Sequence, residues 1–217
     1  MRATFSLIDE SWLARNRPLI VEATARTLCA VFYTYFVYKA FLVFLSNHSL
    51  PITLLVVAET LTFVLIVSAR FPRQVNRSLY PSVITIAASF YFLFVDLSRG
   101  VMLVPVSVIA FLQVLGIGLQ IYAKIYLGRS FGLLPANRGV VKTGPYRVVR
   151  HPIYFGYFLN HLGFLLAMWS FYNLAVYVLL YALQFLRMNE EERLLMRDVE
   201  YREYTRAVPC RFIPLVL

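Results

Sequence analysis

The stretch VMLVPVSVIAFLQVLGIGLQIYA (Val101–Ala123) runs for 23 residues without an Asp, Glu, Lys or Arg. At about 1.5 Å per residue, a helix of that length is roughly as long as a bilayer's hydrocarbon core is thick. The whole chain has the same character: 60% of its 217 residues are hydrophobic and only 15% are charged. Mean hydropathy is +0.68. Soluble domains hold roughly 45–50% apolar and about 25% charged residues. The composition excludes intrinsic disorder, a disulfide-stapled secreted domain and an ordinary cytosolic enzyme.

Five further apolar runs flank the first, at 27–46, 51–69, 81–98, 152–170 and 172–187. The expected fold is all-α: a polytopic bundle of about six transmembrane helices with a cytoplasmic C-terminal helical tail. Pro51, Pro81 and Pro152 stand near the first turns of their helices, where a missing N–H costs little. Residues 1–18, MRATFSLIDESWLARNRP, do not read as a signal peptide, because Asp9 and Glu10 break the apolar run.

The formal net charge is +10. The bases fall in the gaps between apolar runs, which points to anionic lipid headgroups rather than nucleic acid. With six spans, 19 Lys and Arg residues lie on one side and Arg99 alone on the other. Lys39 falls within a span. Both termini are therefore expected to be cytoplasmic, in a bacterial or archaeal plasma membrane. Cys29 and Cys210 are too few for a metal cluster. No disulfide and no metal is expected.

Intramembrane polar residues call for partners. Lys39 and Glu59 lie at similar depth on neighbouring spans, so a structural ion pair is the expected arrangement. The rival reading has Glu59 lining a substrate cavity. His161, beside Asn160, reads as a satisfied packing residue, and Asp96 with Arg99 as a surface pair.

The C-terminal half has a different texture. In LGRSFGLLPANRGVVKTGPYRVVRHPIYFGYFL (127–159), closely spaced Gly, Pro and Arg lead into a span. Its polar part reads as an amphipathic connector along the membrane surface. Arg150-His151-Pro152 sets a cation and an imidazole at a helix start, a ready place for anions. After the sixth run comes Glu190-Glu191-Glu192. If spans five and six turn near Ser170-Phe171, residues whose numbers sum to about 341 share a height. Arg150 then levels with Glu191 and His151 with Glu190. Cations and carboxylates meeting at one aqueous boundary suit a zwitterionic ligand.

These residues carry a resemblance. RHPIYFG (Arg150–Gly156) is similar to the RHPxYxG signature of integral-membrane methyltransferases typified by isoprenylcysteine carboxyl methyltransferase. That family continues with a hydrophobic hairpin, Glu-Glu and a tail with Arg before Ile/Phe-Pro. Here these are Glu191-Glu192 and Arg211-Phe212-Ile213-Pro214. The approach Val140-Val141-Lys142-Thr143-Gly144-Pro145-Tyr146 also resembles the family's. Phospholipid N-methyltransferases share the Glu-Glu and carry an upstream Gly-x-Gly, resembled by Gly116-Ile117-Gly118. Where the family often has Phe-Gly, the stretch LLMRDVEYREY (194–204) is about two residues shorter. The resemblance covers roughly residues 112–217 and divides the chain into a three-span scaffold (1–100) and a catalytic region (101–217). It also implies an additional N-terminal span relative to five-span members.

What the resemblance implies is S-adenosylmethionine as methyl donor and a lipophilic or amphiphilic acceptor. The implied cofactor contacts are His151, Pro152, Tyr154 and Glu191, with Gly116, Gly118 and Arg138. Arg150, Glu192 and Arg211 are the implied catalytic group. Two other readings stand beside it. Steroid 5α-reductases have a similar Pro-x-Tyr-x-Gly-Glu stretch, but Tyr157 follows Gly156 here, and Glu191-Glu192 replaces their histidine-rich stretch. A non-catalytic membrane module is the third reading, against which the intact motif residues count.

Overall fold

The computed structural model describes residues 10–68, 79–128 and 139–213, and these are helical, without a strand. The helices are α1 (Glu10–Asn47), α2 (Leu50–Ser68), α3 (Leu79–Ser89), α4 (Val106–Leu127), α5 (Pro152–Ala167), α6 (Phe171–Leu195) and α7 (Val199–Ala207). Short 3-10 turns occupy Tyr91–Leu93 and Gly144–Arg147.

Three of these helices are long and apolar enough to cross a membrane: Arg26–Ser46 within α1, Val106–Leu127 and Phe171–Leu195. The expectation of about six spanning helices is therefore met only in part among the described residues. Pro105 sets the start of α4 five residues later than the expected 101.

The third run departs most. Expected as a span over 81–98, it stays helical only to Ser89. The Ser89 hydroxyl then bonds back to the Thr85 carbonyl at 2.8 Å. Beyond it, Asp96 accepts from the Ser98 amide at 2.9 Å and the Arg99 amide at 3.2 Å, forming a turn. The expected Asp96–Arg99 pair thus runs through the Arg99 backbone. Asn173, at the start of α6, accepts from the Asp96 amide and donates to the Asp96 carbonyl, both at 3.0 Å. These bonds satisfy backbone that has left the helix. Val101 and Trp169 exchange amide hydrogen bonds at 2.9 and 3.1 Å and close the same end of the bundle.

The core joins Phe36 and Ala40 of α1, Ile52 and Leu55 of α2, Phe92, and Phe164, Tyr177 and Leu180 of α5 and α6. Outward-facing residues such as Phe41, Phe111, Ile125 and Leu179 remain exposed, an apolar sleeve suited to lipid. Helices α4 and α5 approach most closely at glycines. A Cβ on Gly116 would lie 2.6 Å from the Gly156 carbonyl, and one on Gly156 would lie 2.8 Å from the Gly116 carbonyl. This small-residue seam holds α5 directly against α4.

Candidate active site

The candidate site forms where α5 begins. Gly144 adopts φ +59, and a Cβ there would meet the Tyr126 ring at 2.7 Å, so glycine permits this turn. The turn sets Tyr146 into a second core with Ala123, Ile153, Tyr201, Tyr204 and Val208. Tyr204 donates to the Tyr146 carbonyl at 2.6 Å. Burial raises the Tyr204 hydroxyl to about 12, keeping it protonated as that donor. Lys142 and Glu200, 3.0 Å apart, add a half-exposed ion pair between connector and α7.

Helix α7 returns the chain to the start of α5. The Arg150 amide donates to the Cys210 carbonyl at 3.0 Å, and the His151 amide to the Arg211 carbonyl at 2.8 Å. The tail therefore straps the residues just before Pro152, which opens α5. Phe212 seats its ring against Phe155, Phe158 and Tyr181.

One carboxylate organises the charges. Glu192 Oε1 lies 3.1 Å from His151 Nε2 and 3.2 Å from Arg150 Nε. Its Oε2 accepts from Arg211 Nε at 2.9 Å and Arg211 Nη2 at 2.5 Å. Arg150 Nε is within ion-pair distance yet makes no hydrogen bond, so a buried donor remains unsatisfied at the site. Glu191, half-buried, accepts from the Tyr154 hydroxyl at 3.5 Å. The Arg187 guanidinium lies 5.7 Å from the centre of the Tyr154 ring. Glu190 turns away to Arg193 at 2.5 Å.

The structure thus brings together Arg150, His151, Tyr154, Glu191, Glu192 and Arg211, with Pro152 in the first turn of α5. The height pairing needs correction: Arg150 and His151 both meet Glu192. They precede the helix, and His151 is non-helical (φ −124, ψ 59), so each advances further than 1.5 Å. Helical rotation then selects the carboxylate. Tyr177, Leu180, Gln184, Met188 and Glu192 form the buried stripe of α6, and Glu192 continues it. Gly116 lies in the α4–α5 seam, while Gly118 is exposed with nothing within 4 Å of its Cβ position. Arg138 lies outside the described residues.

A second polar group sits deeper. Glu59 is held not by Lys39 but by the Tyr91 hydroxyl, which donates to it at 2.6 Å. His161 Nε2 lies 2.7 Å from the Tyr91 hydroxyl and 3.6 Å from Glu59. His161 Nδ1 pairs with the Tyr181 hydroxyl at 2.9 Å. His161 is thus satisfied at both ring nitrogens, as expected, and is also tied to a carboxylate through a tyrosine. Tyr91 and Tyr181 carried no signal of their own. Arg187 was detectable, one helical turn before Glu191 on the same face.

Residues 99–201 match the family model described as phospholipid methyltransferase. This part of the chain matches a membrane methyltransferase family. The family region contains Arg150, His151, Tyr154, Glu191 and Glu192, while Glu59 and Arg211 lie outside it. A comparison with curated proteins gives no match.

Proposed function

We propose that the protein is an S-adenosylmethionine-dependent methyltransferase embedded in the membrane, acting on a lipophilic or amphiphilic acceptor at the cytoplasmic boundary. The observation that carries this reading is the convergence of Arg150, His151, Glu191, Glu192 and Arg211 within a family-matched, apolar helical chain. The methyl acceptor is a carboxylate, a thiol or an amine.

The donor set fits the cofactor's chemistry. S-adenosylmethionine supplies a methyl group on a sulfonium, together with an α-carboxylate, an α-ammonium and ribose hydroxyls. Glu191, whose bond to Tyr154 is long, is placed to take the ammonium or a hydroxyl. The unsatisfied Arg150 Nε is a donor for the carboxylate. Tyr154 contributes a ring face to a cation. Glu192 works from behind, orienting His151 and Arg211 through the bonds given above and holding Arg150 by charge alone. The strap through Cys210 and Arg211 covers the start of α5 and shields it from water.

Because the leaving group becomes neutral, the chain mainly has to align acceptor and methyl carbon at about 3–3.5 Å and exclude water. An apolar acceptor enters sideways from lipid and the cofactor from the aqueous side. The test is label transfer: purified protein, methyl-labelled S-adenosylmethionine and a total lipid and metabolite extract yield a labelled product whose structure identifies the acceptor. Absence of cofactor binding by calorimetry, with an NADPH-induced thermal shift instead, overturns the reading in favour of a reductase.

A further inference from the structure

The buried group around His161 lies outside the set of residues proposed above to hold the cofactor. With Glu59 ionised and acting only as an acceptor, the group's hydrogen bonds have one consistent assignment. Tyr91 donates its only proton to Glu59, so it accepts from His161 Nε2–H. A neutral imidazole protonated at Nε2 has its lone pair at Nδ1, and Nδ1 faces the Tyr181 hydroxyl. The chain of atoms runs Tyr181 Oη, His161, Tyr91 Oη, Glu59. It has a direction: a proton arriving at Tyr181 passes to Nδ1, and the imidazolium so formed lies 3.6 Å from the Glu59 carboxylate.

An ionised Glu59 with a neutral His161 is a net charge in an apolar bundle, which is unfavourable. One added proton converts it into a neutral ion pair. Around His161, α2 contributes Glu59, the turn after α3 contributes Tyr91, α5 contributes Tyr157, and α6 contributes Tyr177 and Tyr181. Lys124 of α4 lies beyond the Tyr157 ring, 5.2 Å from its centre. Buried Tyr177 has a hydroxyl with no partner.

The entry point lies against the tail strap. Tyr181 contacts Phe158 of α5 and Phe212 of the tail strap, and remains half-buried rather than enclosed. On α5, Tyr154, Tyr157 and His161 form a ladder of rings, with neighbouring centres 6.2 and 6.1 Å apart. The ladder spans about 10 Å of helix.

We propose that His161, backed by Glu59 through Tyr91 and reached through Tyr181, is the proton acceptor for methyl transfer, so that the acceptor is a nucleophile bearing an N–H or S–H. The proposal rests on the methyltransferase reading above. In the step, the acceptor's lone pair forms a bond to the methyl carbon. The carbon–sulfur bond breaks, and its electron pair neutralises the sulfonium. The acceptor's proton moves through the Tyr181 hydroxyl to Nδ1. A carboxylate acceptor has no proton to lose, and the charge on Glu59 opposes it.

The experiment uses the full-length protein in lipid vesicles with methyl-labelled S-adenosylmethionine and three probes: dioleoylphosphatidylethanolamine, dodecanethiol and oleate. Label is expected in the amine or the thiol and not in oleate. With the labelled probe, Tyr181→Phe and Glu59→Gln lower kcat about a hundredfold at neutral pH. Their KM and cofactor affinity stay near wild type, and the deficit shrinks as pH rises and the acceptor ionises unaided. Tyr181→Phe keeps the ring that packs on Phe158, so it reports on the hydroxyl even if Glu59→Gln misfolds. Transfer to oleate, no transfer to either protonated probe, or Tyr181→Phe with wild-type kcat and pH profile overturns the proposal. Loss of cofactor binding in the wild type removes the methyltransferase reading itself, a separate result.

Discussion

Arg211 donates both Nε and Nη2 to one carboxylate oxygen of Glu192, at 2.9 and 2.5 Å. Arg211 lies in the tail and Glu192 near the end of α6, so this charge-assisted pair joins two elements that flank the start of α5. The other oxygen of Glu192 faces His151 and Arg150. A single buried carboxylate therefore stands between cations that would otherwise repel one another.

Replacing that carboxylate leaves cations without a counter-charge. Glu192→Gln is expected to destabilise the fold by about 3 kcal/mol, the usual scale for breaking a buried ion pair. Thermal unfolding in detergent measures it. Early proteolytic release of the 208–213 strap should accompany the loss. A variant that melts like wild type shows that Glu192 does not hold the tail.

Glu191 stands apart in kind. Half-buried, with one long bond to Tyr154, it contributes little to the fold. Glu191→Gln should melt near wild type while S-adenosylmethionine affinity falls about tenfold, the effect of losing one charged contact of about 1.4 kcal/mol. Calorimetry with the cofactor alone decides it, and unchanged affinity removes Glu191 from the cofactor site.

The two glycines of Gly116-Ile117-Gly118 should behave oppositely. Gly116→Ala drives a methyl into the Gly156 carbonyl, for an expected loss of about 1–3 kcal/mol. Gly118→Ala meets open space and should be neutral or stabilising by up to about 1 kcal/mol. Cofactor titration of Gly118→Ala gives a separate answer: weaker binding with unchanged melting assigns Gly118 a cofactor contact, and equal binding removes it.

Asp96, outside the spanning helices, links stability to pH. Burial opposes its ionisation, but hydrogen bonds from Ser98 and Arg99 outweigh that and hold its carboxyl below the ordinary 3.8. A depressed folded value means the stabilisation is present above the unfolded value and is lost as pH falls through the folded one. The melting difference between wild type and Asp96→Ala should be constant at neutral pH and narrow only below about pH 4. A difference that narrows already between pH 7 and 5 contradicts this.

The apolar runs made the helical fold legible, because burial in lipid or protein writes itself into composition over 20 or so residues. The site's residue types at 150–154 and 191–192 were legible too, as motif chemistry set at the ends of apolar runs. Face selection was partly legible: the spacing from Tyr177 to Glu192 already places Glu192 inward. The end of α3 was not. Nothing in Phe90–Asp96 announces that Asn173, 77 residues from Asp96, accepts and donates the hydrogen bonds that let the helix stop.

By itself the sequence determined the class of molecule and the inventory of its charges, since hydropathy and residue type are local properties. Only the tertiary structure decided the partners. Glu59 meets Tyr91 and His161 rather than Lys39, and Arg150 and His151 meet Glu192 rather than its neighbours. Hydrogen bonds are short and directional, so rotation of a helix by one residue, or one non-helical residue before it, changes which side chains can touch.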